Sequence, residues 1–108
     1  MDIGTVIGKL IKKKGLTQAE FAKRIDKSPT ALSQIIKGVY KPNPATLEKI
    51  CQELEIPEPI LHFLTISEED VPKEKLELYR MLAPALRDFI VKIFGEDVEL
   101  LEEEVKDK

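Results

Sequence analysis

The sequence predicts an all-α protein, a five-helix domain of about 65 residues followed by a C-terminal helical segment. Three observations predict it. Apolar residues recur at helical spacing along most of the chain. Start signals, one capping box and two cap-plus-proline pairs, follow one another at short intervals. Glycines stand where those helices should stop.

The elements follow in order. Ile3, Val6, Ile7, Leu10 and Ile11 form the inner stripe of the first helix, which Gly15 stops after a basic last turn. Thr17-Gln18-Ala19-Glu20 is a capping box that opens a second helix over about 17–25, with Ala19, Ala22 and Ile25 as its narrow apolar face. Ser28 caps a third helix over about 29–37, with Pro29 at its first position, where the missing N–H does no harm. Leu32, Ile35 and Ile36 turn inward and Gly38 ends it. Thr30, Ser33, Gln34 and Lys37 fall at i, i+3, i+4 and i+7 and share the outer face. That face is polar, short-chained and almost uncharged in a chain rich in Lys and Glu, which points to contact rather than solvation. Asn43-Pro44 opens a fourth helix with Leu47, Ile50, Cys51 and Leu54 inside, and Ile60, Leu61, Phe63 and Leu64 mark a fifth over about 57–65.

Composition bounds the function. The 108 residues suffice for one domain with an appendage, and 43% apolar with 34% charged residues can build a core. A net charge of -3 excludes a simple polycation, yet the charge is split. Residues 1–49 carry ten Lys and Arg against four acids, a net of +6, and residues 50–108 carry seven against sixteen, a net of -9. One cysteine, Cys51, and one histidine, His62, form neither a disulfide nor a structural zinc site. Cys51 reads as a small buried apolar residue and His62 as a surface or edge histidine. No apolar run approaches the ~18 residues that span a bilayer, and the interleaved N-terminus makes a poor signal peptide, so a cytoplasmic protein is expected. Six aromatics without Trp leave little for base stacking. No catalytic triad, metal or phosphate-loop constellation is present, so neither an enzyme nor a cofactor is expected.

Gly15-Leu16-Thr17-Gln18-Ala19-Glu20-Phe21-Ala22, Ser28-Pro29-Thr30-Ala31-Leu32-Ser33-Gln34-Ile35, Gly38, and Pro42 to Leu47 with Thr46 together resemble the lambda-repressor/Cro-like helix-turn-helix family, the XRE family. The likeness covers residues 1 to about 65 and includes the spacing between the runs. It implies a helix 3 lying in the DNA major groove, a helix 2 across the backbone, and two-fold dimers whose half-sites lie ~34 Å apart. On that likeness Ser28, Thr30, Ser33 and Gln34 are the candidate base-reading residues, Gln34 having the amide that pairs with adenine. Gln18, Lys27, Lys37, Tyr40 and Lys41 are the candidate phosphate contacts. The chain departs from many relatives at Pro29 and Thr30, where Gln or Arg is common, which shifts weight toward shape and phosphate contacts. Relatives also pair an Arg on helix 1 with a Glu near the end of helix 3. The corresponding residues here are Ile11 and Ile36, which predicts an apolar contact in place of an ion pair.

Glu68-Glu69-Asp70 with Pro72 marks a boundary, dividing the chain into a DNA-binding domain over 1–66 and acidic helices over 67–108. Leu76, Tyr79, Leu82, Leu86, Phe89, Ile90, Ile93 and Phe94 hold helical spacing around Pro84, which predicts a kink or two helices meeting near Ala83. Gly95 is a stop, and Val98, Leu101 and Val105 predict a final helix whose Glu102–Glu104 run is its solvated side. So short a chain leaves much of such a stripe exposed, so Leu82, Leu86, Phe89, Ile90 and Ile93 are candidates for a homodimer or partner interface, with packing in cis as the alternative. The reading as a whole is a sequence-specific DNA-binding regulator, a dimeric repressor of a pseudo-palindrome. Its alternatives are an antitoxin that holds a partner protein through its C-terminal helices, and an interaction module of the same fold without DNA binding.

Overall fold

In a computed structural model, which describes residues 2–94, the described chain is all-helical. It forms two compact units, the first ending at Thr65 and the second beginning at Ile66.

The first unit contains α1 (Ile3–Lys13), α2 (Gln18–Arg24), α3 (Pro29–Ile36), α4 (Pro44–Leu54) and α5 (Glu58–Phe63). The start signals act as chemistry requires. Thr17 Oγ1 accepts from the Glu20 N–H while Glu20 Oε1 accepts from the Thr17 N–H, both at 3.0 Å. Ser28 Oγ accepts from the Ala31 N–H at 3.0 Å and Asn43 Oδ1 from the Thr46 N–H at 2.8 Å. Asp2 caps α1 in the same way, accepting from the Thr5 N–H at 2.8 Å.

The helix ends share one device. After α1 the Gly15 N–H donates to the Lys12 carbonyl and the Leu16 N–H to the Ile11 carbonyl, with Gly15 left-handed at φ 76°. Gly38 does the same after α3 at φ 82°. Asp26 and Glu55 take that position after α2 and α4, each at φ 58°, although they carry side chains that disfavour it.

Phe21, Ile7, Ile11, Ile25, Leu32 and Ile50 are among the large side chains that fill the centre. One position differs from the sequence reading. Ala19 is exposed, and Phe21 takes the inward place expected of it, because so short a helix turns its face with small changes in register. Ile36 is half-buried and lies over Gly8, where an added Cβ would come 2.9 Å from Ile36 Cγ2. One turn earlier Gly4 is buried so close to α3 that a Cβ there would collide with the Ile35 carbonyl and lie 2.7 Å from that of Ile36. Gly4 therefore sets the distance at which α1 crosses the end of α3.

The second unit opens with two short 3₁₀ turns, Glu68–Asp70 and Lys73–Lys75, and continues as α6 (Leu76–Phe94). The turns are tied to the helix. Glu68 accepts both Arg80 Nε at 3.0 Å and Arg80 Nη2 at 2.8 Å, a two-point pair that holds the Glu68 carboxyl below its ordinary range. Arg87 Nη2 donates to the Tyr79 hydroxyl at 3.3 Å. The expectation of two helices meeting near Ala83 is corrected, because α6 runs unbroken through Pro84. Proline removes one N–H from the ladder and leaves the turns on either side intact. The expected stop at Gly95 and final helix at Val98, Leu101 and Val105 lie outside the described residues.

Candidate nucleic-acid interface

Helices α2 and α3 pack against each other across a tight turn at 25–28, closed by the Lys27 N–H donating to the Ala22 carbonyl at 2.9 Å. Because Leu32 and Ile35 are committed to the core, the opposite side of α3 is fixed outward. Thr30 and Lys37 on that side are exposed, and Ser33 and Gln34 between them are half-buried. Their side chains, with that of Gln18, make no hydrogen bond within the described residues, so their donors and acceptors remain available. Gln18 is the exposed first residue of α2.

Ser28 is exposed, but its oxygen already accepts the Ala31 N–H, which leaves its hydroxyl proton to donate outward. Its first task is to start α3. Glu20 is similarly occupied, and the Thr17 amide holds its carboxyl below the ordinary range. No negative charge from the outer face of α3 itself intrudes, since Thr30, Ser33, Gln34 and Lys37 include no acid.

The surrounding cations divide into two groups. Arg24 lies 3.8 Å from Glu53 and Lys49 3.3 Å from Asp26, surface pairs that join α2 and its following turn to α4. Lys27, Lys37 and Lys41, which flank α3, are exposed and form no ion pair among the described residues. Beside them Tyr40 is 59% exposed, and Val39, which the sequence reading passed over, is 61% exposed. Val39 follows the Gly38 stop, where an apolar residue ordinarily folds back on its helix. Its exposure puts an apolar contact beside the polar face, a feature that adjacency to the Gly stop could have flagged.

A helix pair with its second helix turned outward, unbonded polar side chains on that helix and uncompensated lysines around it is a helix-turn-helix arrangement. The sequence model of the helix-turn-helix family matches residues 7–61, just over half of the chain. The chain belongs to the helix-turn-helix family. Within it the chain is of the lambda-repressor/Cro-like, or XRE, kind, and it is a DNA-binding regulator in that general sense. No curated protein and no solved structure matched the chain.

The other singled-out residues lie elsewhere. Cys51 is buried in α4, and burial pushes its thiol up, away from the reactive thiolate. His62 is exposed with Nε2 3.5 Å from Glu58. In α6, Leu82, Leu86, Phe89 and Ile93 are exposed, whereas Ile90 is only 4% exposed and is the one candidate interface residue that is covered. No described helix is long and apolar enough to cross a membrane.

Proposed function

We propose that this helix-turn-helix protein is a dimeric repressor that reads a pseudo-palindromic operator with α3 in the major groove. The observation that carries the reading is the outer face of α3, polar and unbonded, ringed by Lys27, Lys37 and Lys41 without partners among the described residues. Gln34, Ser33 and Thr30 read base edges, and Ser28 adds a donor at the start of the helix. Gln18, Lys27, Lys37, Tyr40 and Lys41 hold phosphates and set the register of the helix on the duplex. The acidic second half of the chain is repelled by the duplex, which limits non-specific binding. The protein acts in the cytoplasm on this reading. The exposed apolar residues of α6 favour a second reading, in which they hold a partner protein as an antitoxin would.

Binding assays with two variants test the assignment. Gln34→Ala relaxes base preference by about 1–3 kcal/mol, whereas Lys41→Ala weakens all sequences about equally and lowers the salt slope by about 1. If both variants bind every DNA as the parent does, the placement of the interface is wrong.

A further inference from the structure

Helices α1 to α4 end in the same way, and one of those ends lacks its usual apolar contact. At each, the residue after the left-handed position donates its N–H to a carbonyl five residues back: Leu16 to Ile11, Lys27 to Ala22, Val39 to Gln34 and Ile56 to Cys51. An apolar residue there ordinarily packs on an apolar side chain in the last turn of its helix. Leu16 has Ile11 and is half-buried, and Ile56 has Cys51 and is buried. Val39 has only Gln34, with Ser33 before it, and stays 61% exposed.

We infer that Val39 is a further DNA-contacting residue, packed against the deoxyribose carbons of the strand whose phosphates Lys37 and Lys41 hold. The inference deepens the proposed function and rests on its placement of α3 in the major groove.

Three observations select that occupant. Val39 is fixed to α3, because its N–H donates to the Gln34 carbonyl at 2.9 Å and that of Gly38 to the Ile35 carbonyl at 3.1 Å. It stands between Lys37 and Lys41, both exposed and without an ion pair among the described residues. An apolar protein surface laid on Val39 would desolvate those two charges without pairing them. A nucleic-acid strand alternates phosphate with sugar and so meets the charges and the apolar side chain together. Finally, a recognition helix reaches base edges with its N-terminal residues. Val39 follows the opposite end of α3, which puts it at the wall of the groove rather than its floor. The contact is therefore apolar and independent of sequence, and it releases no counterions.

Fluorescence anisotropy with the full chain tests this on two probes, a duplex of random sequence and a duplex enriched by selection from random DNA. Val39→Ala weakens both about fivefold per bound protomer, with the salt slope unchanged, and Val39→Ile binds as the parent does. Both variants keep the parent's urea midpoint, because Val39 is exposed in the free chain. If Val39→Ala binds both duplexes like the parent while Lys41→Ala weakens them, the inference is overturned and the DNA-binding role stands. Loss confined to the enriched duplex assigns Val39 to a base and overturns the sugar contact. A lower salt slope in Val39→Ala also overturns it, since the effect then comes through a displaced lysine. A parent that binds neither duplex removes the proposed function and the inference with it, which failure at Val39 alone does not.

Discussion

The two units of this chain expose opposite chemistries. In the first, Phe21, Ile25, Leu32 and Ile50 are closed to water, and the prominent outer face, that of α3, is polar and ringed by cations. In the second, α6 leaves Met81 66% and Phe89 59% exposed while its charged groups pair locally, Arg80 with Glu68 and Lys92 with Asp88. What each surface lacks identifies what completes it. Cations without counter-ions call for a polyanion, and apolar side chains without cover call for another apolar surface.

Salt should separate the two most widely. On the proposed reading three lysines on each of two protomers contact six phosphates, so raising salt from 50 to 200 mM should cost operator binding roughly 10³-fold. Self-association through apolar contact weakens little over the same range, as sedimentation would show. If both fall together, the surfaces do not differ in the way described.

The closed core of the first unit breaks most easily at Gly4. Gly4→Ala forces a Cβ against fixed backbone oxygens of α3 and destabilises the fold by about 3 kcal/mol, despite the ~1 kcal/mol that alanine contributes to a helix. Gly8→Ala meets the Ile36 side chain and no backbone, so although Ile36 must shift it costs clearly less than Gly4→Ala in urea unfolding. Equal effects at the two positions would mean that Gly4 does not set the α1–α3 approach.

These glycines mark the limit of what local sequence reveals. Thr17–Glu20, Ser28-Pro29, Asn43-Pro44, Gly15 and Gly38 act through bonds to near neighbours, so the helix boundaries they set were legible to within a residue or so. Gly4 matters because of a carbonyl some thirty residues away, and nothing around it in the chain signals that. Asp26 and Glu55 end helices in a conformation usually left to glycine, so no residue type announced them. The outer face of α3 was legible because its period and its scarcity of charge are both local. The burial of Ile90 beside exposed Phe89 was not, since periodicity places both on one broad apolar stripe.

Glu55 offers a gain of stability. Glu55→Gly relieves a left-handed residue at φ 58° and should add about 1 kcal/mol, read as a higher urea midpoint. Asp26→Gly gains less, because Asp tolerates the region better and the substitution removes the pair with Lys49. The smallest effect concerns acid. Hydrogen bonds from capping amides hold the Asp2 and Glu20 carboxyls below their ordinary range. A depressed folded-state value means their contribution is present above the unfolded carboxylate range and is lost as pH falls through the folded values. Glu20→Gln keeps the capping hydrogen bond but cannot titrate, so it should flatten the acid limb of the stability profile without shifting the neutral plateau.

Selection of binding sites from random DNA by the full chain tests the central claim most directly. A dimer reading DNA with two copies of α3 enriches an inverted repeat whose half-sites are centred about one helical turn apart, ~34 Å. Recovery of no enriched sequence, or of a single half-site without its inverted mate, would contradict that account.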